Sequence, residues 1–273
     1  MTVRLATTSE AMGQVHRLQA RDFEVVSDHL DPGSALESVS AGDADAALLP
    51  GLHVSAAALL GLETAAVLVR DEPRDLLVVA DRRGVPLRSL APSARVGVTG
   101  ARRRGLLRAH RRDLEVVSLD NGTSPADALE AGAVDAVILS AAEARQLGLG
   151  GVTSEMLDAK AWLPAPGQGA YALFARDPAA FEAYDHEPTR RELQAELALV
   201  QVLGLPIGSA LGALAQSTGP LIRLWAGAAG PDGSAFVRSD LAGPAGDSKV
   251  VASAVAKQLI ERGLATVLSG PLS

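Results

Sequence analysis

Two segments of this 273-residue chain read alike, and they constrain its fold more than any other feature. Residues 35–49 read ALESVSAGDADAALL and residues 128–139 read ALEAGAVDAVIL. Each places Ala-Leu-Glu on a predicted helix. Each then runs through Gly-x-x-Asp-Ala (Gly42, Asp45, Ala46; Gly132, Asp135, Ala136) into an apolar strand. One helix–strand unit cannot bury its apolar face alone, so two copies predict two similarly built α/β lobes. In such sheets ligands bind beyond the carboxyl ends of the strands. The residues just past those ends are Pro50 to His53 in the first copy and Ser140 to Glu143 in the second.

The rest of the chain divides by period and punctuation. Strands are predicted at 3–7, 23–26, 46–49, 65–69 and 76–80, and a helix at 35–41 that ends near Gly42. Ser9 is a candidate cap for a helix through Gln14, His16 and Leu18. The polar, proline-broken stretch 71–75 (DEPRD) is a candidate linker. Residues 163–170 (LPAPGQGA) hold too much Pro and Gly for a helix or a central strand, so they form a rigid crossing. A strand at 170–175 and a long amphipathic helix at 189–203 follow. Strands at 221–226 and 235–238 about a Pro231-Asp232-Gly233 turn, then a helix at 248–262, predict a small α+β domain.

Residues 96–107 (VGVTGARRRGLL) read as a strand end, a turn with Thr99 as candidate N-cap, and the opening of a helix. A helix start presents free N–H groups and the positive end of a dipole, so it suits anions. Arg102, Arg103 and Arg104 run against that preference. One reading is that they receive a negatively charged ligand. The other is a solvated basic turn continuing through Arg108, Arg111 and Arg112.

Composition narrows the chemistry. Apolar residues are 48% of the chain and aromatics only 3%, so the core is aliphatic and stacking platforms for single-stranded nucleic acid are scarce. A net charge of −7 argues against a DNA or RNA partner. The absence of cysteine excludes disulfides, thiolate metal sites, a cysteine nucleophile and any cofactor attached through sulfur. The five histidines show no metal-ligand spacing. No apolar run reaches signal-peptide or membrane-span length, so a cytoplasmic protein without a membrane partner is expected.

LPAPGQGA, the Gly97–Arg103 turn with its paired arginines, DEPRD, Pro206-Ile207-Gly208 after a long helix, and Pro231-Asp232-Gly233 occur in this order. Together they resemble the hydroxymethylbilane synthase (porphobilinogen deaminase) family over nearly the whole chain. The resemblance implies an α/β fold with two periplasmic-binding-protein-like (type II) lobes and a third small α+β domain. Residues 1–70 and 169–188 would form lobe 1, 74–165 lobe 2, and 189–273 the third domain. Members of that family join four porphobilinogens into a linear tetrapyrrole, grown on a dipyrromethane held by a cysteine.

The resemblance also locates departures. Val202-Leu203-Gly204-Leu205 runs directly into Pro206, where the family's cysteine loop would lie. Leu52 and His53 stand at the family's Lys-Asp positions, and Thr8 stands at an arginine position. Around Asn121, Leu119 and Pro125 replace arginines. Of the family's anion-binding set, Arg102 and Arg103 remain, with Thr99 in the turn. The expectation is therefore a chain without dipyrromethane that does not polymerise porphobilinogen. It would be a diverged enzyme acting on a small carboxylated, pyrrole-like compound in an anion-binding cleft between the lobes. His53 would serve as general acid or base, and Arg102, Arg103, Thr99, Thr8, Glu10, Gln168 and Gly169 would bind substrate. A non-catalytic ligand- or partner-binding protein is the alternative, and a residual role in tetrapyrrole synthesis a third.

Overall fold

The computed structural model describes residues 2–18, 23–29, 31–80, 84–120, 122–152 and 154–270. The chain divides into two compact units: Met1–Glu72 with Gly167–Leu193, and Pro73–Pro166 with Gln194–Ser273. Two of the divisions fall where polar and proline-rich sequence predicts a linker and a crossing, at Glu72/Pro73 and Pro166/Gly167.

The first unit opens with strand β1 (Val3–Thr8), a short helix α1 (Met12–Val15) and β2 (Phe23–His29). Helix α2 (Pro32–Ala41), β3 (Ala46–Pro50), α3 (Val54–Leu59) and β4 (Glu63–Val67) follow. Helix α2 begins where Asp31 accepts from the Ser34 N–H at 2.9 Å and stops at Gly42, whose φ of 89° only glycine adopts easily.

The second unit carries β5 (Asp75–Val79), β6 (Arg95–Val98), α4 (Gly100–His110) and β7 (Glu115–Ser118). It continues through α5 (Pro125–Glu130), β8 (Ala136–Ser140), α6 (Ala141–Gln146) and β9 (Glu155–Met156). The chain then returns to the first unit as β10 (Tyr171–Ala175) and enters α7 (Glu187–Leu203), within which the last division falls. It closes with β11 (Leu211–Thr218), β12 (Leu221–Ala229), β13 (Phe236–Pro244), α8 (Ser248–Glu261) and α9 (Leu264–Ser269).

The repeat is visible in the topology. The first sheet runs β2-β1-β3-β10-β4 and the second runs β7-β6-β8-β5-β9. In each, the first three strands are parallel and the fourth is antiparallel to the third. The repeated aspartate has a defined task. Asp45 accepts from the Arg4 N–H at 2.8 Å and pairs with its guanidinium at 2.7 Å. Asp135 does the same for Arg95, at 2.7 and 2.8 Å. Each fastens the start of the neighbouring parallel strand.

Strands β11, β12 and β13 form an antiparallel sheet, with α7 and α8 supplying Leu199, Val251, Val255 and Leu259 to a core with Ile222 and Leu224. This sheet meets α4 closely. A Cβ on Gly105 would lie 2.8 Å from the Ala229 carbonyl oxygen, and one on Gly233 2.4 Å from the Arg108 carbonyl carbon. Among the described residues no helix is long and apolar enough to cross a membrane.

Two local expectations are corrected and one strand is added. Ser9 does not cap a helix: α1 starts after Ala11, and the Ser9 hydroxyl faces Asp28 at 3.5 Å. Thr99 holds the N-cap position of α4, yet its side chain makes no capping bond. Strand β11 escapes prediction because LGALAQST lacks the β-branched alternation of a strand, and its pairing with β12 supplies what propensity does not.

Candidate functional site

In the first unit, β1 and β3 are parallel neighbours, so Thr8 and the turn after Pro50 stand at the same end of the sheet. Thr8 is 6% exposed, and its hydroxyl has no hydrogen-bond partner among the described residues. Glu10 is exposed in the turn that follows. His53 ends the tight turn Gly51–His53 and is half-buried. Burial lowers its pKa below the ordinary histidine value, so the imidazole is neutral at pH 7.

Gln168 and Gly169 lie where two passes of chain touch. The Gln168 carbonyl accepts from Arg70 Nη2 at 2.9 Å, and the Asp71 N–H donates to the Gly169 carbonyl at 2.8 Å. A Cβ on Gly169 would stand 2.9 Å from the Asp71 carbonyl oxygen, and its φ is +77°. Both facts require glycine.

In the second unit, β6 delivers α4 beside β8, and the arginines of α4 turn inward. Arg102 and Arg103 are 6% and 7% exposed. Asp75, the first residue of β5 and fully buried, pairs with Arg102 Nη2 at 2.8 Å and Arg103 Nη2 at 3.1 Å. Trp162 Nε1 donates to the same carboxylate at 2.9 Å, and Arg102 Nη1 donates to the Leu163 carbonyl at 2.8 Å. Arg103 also pairs with Glu143 at 2.7 Å and donates to Thr99 Oγ1 at 2.9 Å. At the start of α4, the Gly100 N–H donates to Asp120 at 2.7 Å, and Arg104 pairs with the same carboxylate.

Thr99, Arg102 and Arg103 thus come together, but around carboxylates of the chain itself. Asp75, Trp162 and Asp120 were not singled out by sequence. A charged residue opening the apolar run Leu76–Val79 was the one available sign of Asp75. Leu119 is core, Pro125 opens α5, and Asn121 lies outside the described residues. No group of His, Cys, Asp and Glu among the described residues could hold a metal ion.

Residues 37–181 match the family model described as "Porphobilinogen deaminase, dipyromethane cofactor binding domain". The porphobilinogen deaminase of Thermus thermophilus is 35% identical over 217 residues, covering 77% of this chain and 71% of that protein. The one from Stenotrophomonas maltophilia is 34% identical over 210 residues, covering 75% and 69%. Among solved structures, the periplasmic aliphatic sulphonate binding protein SsuA from Escherichia coli aligns with a TM-score of 0.41 at 18% identity, covering 76% of this chain and 80% of that one. The match over residues 37–181 corrects one expectation, that of a chain without dipyrromethane: this region matches the family's cofactor binding domain. What the absence of cysteine removes is the sulfur bond to such a group.

Proposed function

This chain belongs to the porphobilinogen deaminase family, and we propose that it is a diverged enzyme of that family acting on a small carboxylated pyrrole. His53 carries the reading. It is a half-buried imidazole beyond the carboxyl end of β3, neutral at pH 7, and able to take a proton from a pyrrole-class substrate and return it. Thr8, Glu10, Gln168 and Gly169 are assigned to substrate binding, with the unpartnered Thr8 hydroxyl available for a hydrogen bond. A thioether-anchored dipyrromethane does not fit a chain without cysteine. A pyrrole ligand is held here by hydrogen bonds and packing, so it should leave on denaturation and be seen in native but not in denaturing mass spectra.

The second reading, a binding protein without turnover, is favoured by the internal pairing of Arg102 and Arg103. Porphobilinogen binding and ammonia release, measured on wild type and His53→Ala, separate the two. Lost turnover with affinity held within about threefold supports the enzyme, and a threefold change is well under the ~1.4 kcal/mol of a tenfold one. Affinity without turnover in either protein supports the binder. No affinity in either would remove the pyrrole ligand from both readings. For the enzyme, the rate should hold through pH 7 and fall only below the ordinary histidine range of about 6.5, because the His53 pKa is lowered.

A further inference from the structure

The start of α4 presents N–H groups and guanidiniums that call for anions, and the chain supplies them. Arg103 is saturated. Its Nε donates to Asp75 at 3.3 Å, Nη1 to Thr99 at 2.9 Å and Glu143 at 3.4 Å, and Nη2 to Asp75 at 3.1 Å and Glu143 at 2.7 Å. These bonds use all five N–H donors of a guanidinium. The partners differ in access. The Asp75 side chain is 0% exposed and that of Arg103 9%, whereas that of Glu143 is 35% exposed. Glu143 is therefore the solvent-facing partner of Arg103.

Glu143 is also held in place from its own helix. Its Oε2 accepts from the Ser140 N–H at 2.7 Å while its N–H donates to Ser140 Oγ at 3.2 Å, the reciprocal cap of α6. Burial alone would raise its carboxyl, but Arg103 and the Ser140 N–H hold it below the ordinary range, so it is ionised at neutral pH.

We propose that Glu143 is a specificity-determining residue: its carboxylate occupies the seat on Arg103 that a ligand carboxylate would take, and closes that seat to acidic ligands. The proposal rests on the pyrrole reading above and adds that the substrate keeps its carboxylates away from Arg103. A ligand carboxylate must displace a group already tethered and oriented, while losing the translational freedom that Glu143 has already given up.

The test uses Glu143→Gln, which keeps the cap of α6 and most of the shape but removes a negative charge from beside Arg103, and Glu143→Ala, which also vacates the space. Sulfate is titrated into each full-length protein by calorimetry, with the Arg103 Nε–Hε NMR resonance as the local readout. Both variants should bind sulfate at least tenfold more tightly than wild type and shift that resonance. Sulfate affinity equal to wild type in both folded variants would overturn the proposal. Since sulfate is no pyrrole, this result stands apart from whether porphobilinogen binds. If porphobilinogen binds wild type and Glu143→Gln alike while sulfate gains nothing, the closed seat fails and the pyrrole reading survives.

Discussion

Asp75 gathers three side chains around one buried carboxylate. It is fully buried and accepts from two guanidiniums and an indole at once. Removing one partner of a buried ion pair leaves an uncompensated charge, so Asp75→Asn should cost about 3–5 kcal/mol in urea unfolding. A cost below about 1 kcal/mol, the range of solvated pairs, would show that water reaches the arginines after all. Glu143 adds a pH term. Its carboxyl is held below the unfolded value, so its contribution is present above about pH 4.3 and is lost as pH falls through the folded value. From sequence, the arginines stood out because they oppose the charge preference of a helix start. Their pairing did not, because Asp75 reads as the end of a polar linker, and Glu143, although just past a strand end where ligands bind, carries no sign along the chain of its contact with Arg103.

At the scale of elements, glycines separate two causes of constraint. Gly169 and Gly204 both have positive φ, +77° and +61°, but a Cβ on Gly169 meets the Asp71 and Glu72 carbonyls while one on Gly204 meets open space. Gly204 ends α7, with the Leu205 N–H reaching back to the Val200 carbonyl at 3.2 Å. Gly204→Ala should therefore cost about 1 kcal/mol for the left-handed conformation alone. Gly169→Ala should cost about 3 kcal/mol, strain plus displaced backbone, and thermal unfolding compares them. Equal losses would mean that the crossing can move aside. The crossing itself was legible, since Pro and Gly forbid helix and central strand there. The Ser9 cap and β11 were not, because a cap depends on where the first turn closes and β11 on the strand beside it.

For the whole molecule, the repeat and the order of elements carried the fold class: two sheets of one topology, each with its fourth strand antiparallel to its third. Family membership agrees with that reading. The grouping of the three-stranded sheet with β5–β9 in one unit came from close packing on α4, which no composition shift announces. Gly233 has a φ of +70° and stands against the backbone of Arg108 and Ala109. Gly233→Ala should thus raise amide hydrogen exchange in β6 and β12 together. A rise confined to β12 and β13 would mean that the two sheets open independently.

The amino-acid order determined two α/β lobes, two breaks in regular structure at 71–75 and 163–170, and a helix start that demands negative charge. Tertiary structure decided whose charge that is. Asp75 and Glu143 lie 28 and 40 positions from Arg103 in the chain, yet stand within hydrogen-bond reach of it. Electrostatic and hydrogen-bond satisfaction depend on separation through space, and a one-dimensional pattern records only separation along the chain.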